Sequence, residues 1–224
     1  MMRKAAFLDR DGVINIDHAY VHKIEEFDWV PGVLEAARAL SEAGYLLVVV
    51  TNQSGIGRGY YDEAAFTRLT DWMKARFAEA GAPVAGVYFC PHHPEKANPP
   101  YRMDCDCRKP RPGMLLKAAE DLGIDLSTSI MFGDKPGDMT AGRAAGCVER
   151  IQLGTDGLEA PVPSADATGA FRSLADAVAS PWFAQLKQRS LPCAPVYPPL
   201  PLKARSARWT SSPSAPPRLR IRSS

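Results

Sequence analysis

The sequence predicts an α/β fold in which a parallel sheet is covered by helices on both faces. Three observations lead there. Short apolar runs alternate with stretches of helical period through residues 1–186. The run Leu46-Leu47-Val48-Val49-Val50 is continuously apolar, as a parallel strand buried on both faces should be. Several runs also end in acidic or hydroxyl residues, and the C-terminal strand ends are where open α/β sheets place their chemistry.

Taken in order, Ala5–Leu8 reads as a buried first strand that delivers Asp9-Arg10-Asp11-Gly12. A long connection over residues 13–30 follows and contains Asp17-His18-Ala19-Tyr20. The spacing of Val33, Leu34, Ala37 and Leu40 predicts a helix over residues 32–43, stopped by Gly44. The second strand delivers Thr51-Asn52-Gln53-Ser54. A Gly-rich loop, Gly55-Ile56-Gly57-Arg58-Gly59, leads to a helix over 62–80 with Phe66, Leu69, Met73 and Phe77 on one face. Residues 84–89 read as a strand. Residues 90–112 form a Pro- and Cys-rich connection without period, and Gly113–Leu122 reads as a helix. A short strand over 130–132 ends in Gly133-Asp134-Lys135, followed by a helix over 137–145 and a strand over 148–153. A weaker strand-helix pair is expected within 165–183.

A chain of 224 residues supports one domain of ordinary size with a tail, and 46% hydrophobic residues suffice for a core. No run approaches the ~18 apolar residues of a membrane span. The apolar stretch after Met1-Met2-Arg3-Lys4 ends at Asp9, too soon for a secretory leader, so a cytoplasmic protein is expected. The net charge of +2 divides unevenly. Residues 1–186 carry 19 Lys/Arg against 25 Asp/Glu, a net of −6, whereas residues 187–224 carry eight basic residues and no acid. The basic character belongs to the tail and gives no ground for nucleic-acid binding by the folded part. We therefore read residues 1–186 as the domain and 187–224, with eight prolines and no hydrophobic pattern, as a disordered tail. The tail suits either an acidic partner or no specific role.

The polar strand ends suit one reaction, phosphoryl transfer to a carboxylate. Of two carboxylates two residues apart, one can attack phosphorus and the other can carry the leaving group's proton. Charge repulsion between carboxylate and phosphate must be cancelled. Mg²⁺ held by carboxylates does this, helped by a lysine and a hydroxyl on the phosphoryl oxygens. Thr51-Asn52, Lys109 and Asp134 would each be ordinary turn or loop residues in isolation. Their joint occurrence at strand ends favours the chemical reading.

Cys90-Pro91-His92-His93 and Cys105-Asp106-Cys107 give C-x-H, twelve residues, then C-x-C. Three thiolates and an imidazole close a tetrahedral Zn²⁺ site with no open position, so a structural role is expected. Such an ion would stabilise a loop that has no core of its own. The spacing favours His92 over His93. Surface cysteines and a labile disulfide are the alternatives. Arg108 and Lys109 are adjacent and can point apart, Lys109 to the phosphate under attack and Arg108 to a second phosphate. Arg108 can also merely screen the thiolates.

Asp9-Arg10-Asp11-Gly12-Val13, Thr51-Asn52, Lys109 and Gly133-Asp134-Lys135 resemble, in order and spacing, the four motifs of the haloacid dehalogenase superfamily of phosphatases. The resemblance implies a Rossmann-like three-layer core. In it Asp9 is the nucleophile, Asp11 the general acid/base, and Thr51 and Lys109 steady the phosphoryl group. Asp9, Asp134 and the Asp11 carbonyl would hold Mg²⁺, with Asp138 in support and Lys135 orienting Asp9 or the phosphate. With the zinc loop, residues 3–183 look similar to one branch of that superfamily. This branch comprises the D-glycero-D-manno-heptose 1,7-bisphosphate 7-phosphatases and the histidinol-phosphate phosphatases. The telling stretches are Asp17-His18-Ala19-Tyr20-Val21, residues 48–56, Cys90-Pro91-His92-His93-Pro94, and Cys105-Asp106-Cys107-Arg108-Lys109-Pro110.

By that resemblance no large cap domain is expected, and Asp17, His18, Ala19, Tyr20, Asn52, Gln53, Ser54 and Arg108 would contact the substrate. It also implies a monomeric enzyme acting on a small sugar bisphosphate, toward nucleotide-activated heptose for lipopolysaccharide core or surface glycans. The twelve-residue spacer favours the heptose over the histidinol-phosphate members. A zinc-stapled binding module that has lost catalysis is the rival from another class, and the intact Asp9 and Asp11 oppose it.

Overall fold

The computed structural model describes residues 2–155 and 157–189. Six strands form one parallel sheet: β1 (Ala5–Leu8), β2 (Leu46–Asn52), β3 (Val84–Cys90), β4 (Ile130–Gly133), β5 (Glu149–Leu153) and β6 (Gly169–Phe171), in the order β3-β2-β1-β4-β5-β6. The helices between them are α1 (Val33–Glu42), α2 (Ser54–Arg58), α3 (Glu63–Glu79), α4 (Gly113–Leu122), α5 (Pro136–Ala145), α6 (Leu174–Ala179) and α7 (Pro181–Arg189).

Side chains alternate across the sheet with the period of two that extended chains impose. Ala6, Leu8, Leu47, Val49, Ile130 and Phe132 face a core shared with residues of α1, α3 and α6. Ala5, Phe7, Val48, Val50 and Met131 face the opposite core, with Met114, Leu115 and Met139 of α4 and α5. Each large side chain so buried contributes ~1.5–3 kcal/mol, and this double burial selects the run of valines in β2. Strand order reverses beside β1, so Asp9 leaves the sheet at its switch point, the place where α/β sheets open a crevice.

Three elements differ from the expectation. β2 runs two residues further, because Thr51 and Asn52 pair with Phe89 and Cys90. The Gly-rich stretch is largely the short helix α2 rather than a loop. The strand-helix pair near the end resolves into β6, α6 and α7. Helix α7 crosses the boundary drawn at residue 186, because Phe183 is buried and Leu186 packs against the core. Residues 190–224, with Cys193, lie outside the described residues. No described helix is long and apolar enough to cross a membrane.

Candidate active site

β1 ends where the Asp9 amide donates to the Phe132 carbonyl of β4 (3.0 Å), which fixes the start of the loop. The Asp9 carboxylate is buried, accepts the Arg10 amide at 2.7 Å and lies 2.8 Å from Lys109 Nζ. Lys109 Nζ also meets Asp138 Oδ1 (2.7 Å) and donates to the Val50 carbonyl (2.8 Å), so all three ammonium hydrogens have a partner. Asn52 clamps the Lys109 backbone from both ends: Nδ2 donates to its carbonyl and Oδ1 accepts its amide, each at 3.1 Å. Asn52 thus spends its amide on placing the lysine. Burial pushes the Asp9 carboxyl up, and the Lys109 charge works against that rise. Burial opposes the Lys109 ammonium, yet Asp138 and Asp9 hold it above its ordinary value.

Asp134 follows β4 and faces Asp9. Both of its carboxylate oxygens are buried without a hydrogen-bond partner. Burial, and after it the Asp9 charge, pushes its pKa up to about 7. One oxygen from each of Asp9, Asp134 and Asp138 falls within a 4.8 Å cluster. Asp138 is already engaged, accepting the Lys135 amide (3.0 Å) as the cap of α5 and pairing with Lys109. The bare oxygens of Asp134 beside Asp9 are what a hard dication would take up, so the residues fit such an ion. Gly12 makes room for this arrangement. Its φ is +87°, and a Cβ there would stand 2.5 Å from Asp134 Cγ and Oδ2.

Asp11 is held at the cavity wall by Arg10 (Nη2 to Oδ1, 2.9 Å), Asn15 Nδ2 (3.1 Å) and Gln53 Nε2 (3.0 Å). The same Gln53 nitrogen donates to Thr51 Oγ1 at 2.8 Å, and the Tyr61 hydroxyl donates to Gln53 Oε1. Burial pushes the Tyr61 phenol up to about 12, so it remains a neutral donor. Gln53 therefore ties the two expected catalytic side chains together as well as lining the cavity. The sequence reading missed Arg10, which is almost wholly buried with its other Nη2 bond on the Val21 carbonyl (2.7 Å). An arginine between two acids at the end of an apolar strand was the available signal.

A cavity of about 400 Å³ opens over these groups. Asp9, Asp11, Asp17, Ala19, Tyr20, Thr51, Asn52, Gln53, Ser54, Arg108, Lys109 and Lys135 all line it. His18 does not. Ala19 and Tyr20 adopt positive φ (62° and 57°), which turns them toward the cavity, while the His18 ring lies on the surface with Nε2 2.7 Å from Asp28. Lys135 Nζ meets Asp17 (3.1 Å) and lies 3.8 Å from Asp134; burial works against its ammonium, but Asp134 and Asp17 raise it past the usual value. Arg58 also lines the cavity, a residue the sequence reading left in its Gly-rich loop.

The loop after β3 brings Cys90, His92, Cys105 and Cys107 together. The sulfurs lie 3.1–3.5 Å apart, far beyond a disulfide bond, and His92 Nδ1 is 3.3 Å from Cys107. Burial and the neighbouring Cys107 thiol push the Cys90 thiol up, so thiolates here call for a cation. His93 instead accepts the amides of Glu95 (3.2 Å) and Lys96 (3.0 Å) on its Nδ1 and shapes the loop. Partial burial, then the charges of Arg108 and Arg58, holds the His93 imidazole below its usual value. Arg108 donates to the His92 carbonyl at 3.2 Å, which seats it between this cluster and the cavity.

Comparison with known proteins agrees with this geometry. The chain is 56% identical over 144 residues to the D-glycero-beta-D-manno-heptose-1,7-bisphosphate 7-phosphatase of Pasteurella multocida, covering 64% of this chain and 78% of that protein. It is 48% identical over 172 residues to the protein of the same name from Escherichia coli K12, covering 77% and 90%. The crystal structure of the D,D-heptose 1,7-bisphosphate phosphatase of B. bronchiseptica, complexed with magnesium and phosphate, superposes with a TM-score of 0.68 at 32% identity over 84% of this chain and 99% of that one. The family model of the haloacid dehalogenase-like hydrolases matches residues 3–146, and the chain belongs to that family.

Proposed function

We propose that the chain is a Mg²⁺-dependent phosphatase that removes the 7-phosphate of D-glycero-beta-D-manno-heptose 1,7-bisphosphate by way of an aspartyl phosphate on Asp9. The observation that carries the reading is the pair of bare, buried Asp134 oxygens beside an Asp9 already matched to Lys109. Asp9 attacks phosphorus as the bond to the sugar oxygen breaks, and Asp11 gives that oxygen its proton. Asp11 then takes a proton from water, which attacks the same phosphorus, breaks its bond to Asp9 and releases phosphate. Thr51 and Lys109 stabilise the charge that spreads over the phosphoryl oxygens. A magnesium ion on Asp9, Asp134 and the Asp11 carbonyl would neutralise charge on the transferring group. Zn²⁺ on Cys90, His92, Cys105 and Cys107 would hold the loop, as three sulfurs and one imidazole suit that ion. Relatives at 48–56% identity bearing the beta-heptose name support the substrate.

The test is phosphate release with Mg²⁺ from both anomers of heptose 1,7-bisphosphate, histidinol phosphate and fructose 1,6-bisphosphate. The expected result is the highest kcat/KM for the beta-heptose. A preference for histidinol phosphate would keep the chemistry and overturn the substrate.

A further inference from the structure

Four cations face the cavity, and two of them are already committed: Lys109 to Asp9 and Asp138, Lys135 to Asp17 and Asp134. Arg58 and Arg108 have no carboxylate partner among the described residues. Arg108 spends one nitrogen on the His92 carbonyl. The Arg58 Nε is buried with no hydrogen-bond partner, while its guanidinium lies over the Tyr20 ring, 5.5 Å from the centroid. Tyr20 is in turn set edge-on against Tyr60 at 4.7 Å. A guanidinium stacked on one face and unpaired at its edge is poised to take a planar pair of anionic oxygens.

Arg58 is also placed with care. It closes α2, and that helix is docked on the zinc loop: Asn98 donates its amide to the Gly57 carbonyl at 2.7 Å and its Nδ2 to the Arg58 carbonyl at 3.4 Å. Gly57 permits the approach, since a Cβ there would stand 2.4 Å from the Pro91 carbonyl oxygen. The loop that carries the thiols therefore positions both arginines, Arg108 by including it and Arg58 through α2.

We propose that Arg58 is a specificity-determining residue that grips the phosphate remote from the reacting one, together with Arg108. Both arginines line the cavity, and the charges of both act on His93. The proposal rests on the bisphosphatase reading. Lys109 and Lys135 sit with the acids at the reacting end, which leaves the two arginines for the other end of a doubly charged substrate.

The experiment measures kcat/KM of wild type, Arg58→Ala, Arg58→Lys and Arg58→Ala/Arg108→Ala on heptose 1,7-bisphosphate and on the same heptose with a phosphate at carbon 7 alone. Arg58→Ala is expected to lose roughly 30-fold on the bisphosphate, and at least tenfold less than that on the monophosphate. Arg58→Lys, which keeps the charge but not the fork, should fall between. The double variant should show a non-additive loss, as two groups on one phosphate require. Equal losses on both substrates overturn the assignment of Arg58 while leaving the bisphosphatase reading intact. A wild type that does not distinguish the two substrates overturns both. Retained hydrolysis of the monophosphate shows that each variant is folded.

Discussion

The acid cluster and the thiol cluster are built by opposite means. Asp9 and Asp134 leave adjacent strands of a sheet buried on both faces, and Asp138 caps a helix that follows at once. Main-chain hydrogen bonds, Lys109 and the cap hold Asp9 and Asp138 in place without an ion, and the Asp134 backbone is set by the end of β4. Cys90, by contrast, is the last residue of β3, and its partners arrive over a connection with no regular helix or strand before Gly113. There the side chains are held by one another, by packing of the thiols on the core beside the sheet and by scattered loop hydrogen bonds, without a helix or strand of their own. An ion at the first cluster would serve chemistry on a scaffold that already stands, while an ion at the second would hold the scaffold itself.

The sharpest way to break that contrast is Asp9→Asn. With the nucleophile gone, turnover should fall on the order of 10⁴-fold or more while the melting temperature changes little. A steady-state assay with a thermal melt measures both, and residual turnover near wild type would remove Asp9 from its role. Cys105→Ser should do the reverse. Loss of one of four ligands is expected to lower Tm by roughly 5–10 °C and to reduce bound zinc, with a smaller effect on kcat. A variant with full zinc and unchanged melting would show that the loop stands without its ion.

The same contrast explains what could be read from the sequence. Asp9, Asp11, Thr51 and Asp134 were legible because continuous apolar runs mark the strands, and a residue just past such a run must sit at a sheet end. The thiols were legible because C-x-H and C-x-C leave few alternatives. Gln53, Arg10 and Arg58 were harder, since their parts depend on partners distant in the chain: Gln53 links Asp11 to Thr51 and is itself held by Tyr61, and Arg58 is fixed by Asn98. The backbone beside His18 was not legible, because two successive residues of positive φ turn the chain there, and neither is a glycine or an asparagine that would announce the turn. Helix α2 was hidden by its glycines, which are poor helix formers and are tolerated only by close tertiary contact.

A smaller change tests how finely the acid cluster is set. Gly12→Ala asks a positive φ of a residue with a Cβ and drives that Cβ into Asp134. The expected result is a Mg²⁺ requirement raised roughly tenfold, with a stability loss of about 1–2 kcal/mol, read from magnesium titration of activity and from denaturant melts. An unchanged magnesium requirement would mean that Asp134 can move aside without cost, and that the cluster is not rigid.

The subtlest expectation concerns protons. The Asp134 pKa is raised to about 7, above its value in an unfolded chain, so the neutral form suits the metal-free fold. The stabilisation this provides is complete below the ordinary carboxylate range and is lost as pH rises through about 7. Metal-free protein should therefore lose stability between pH 5 and pH 8, and Mg²⁺ should raise Tm more at pH 8, where Asp134 is already ionised and no proton must leave. Melts with and without the ion at the two pH values measure this difference. Asp134→Asn should flatten it, since the amide has no proton to trade. A magnesium effect independent of pH in the wild type would mean that burial does not hold the proton on Asp134, and that the two clusters differ less in their need for a cation than their scaffolds suggest.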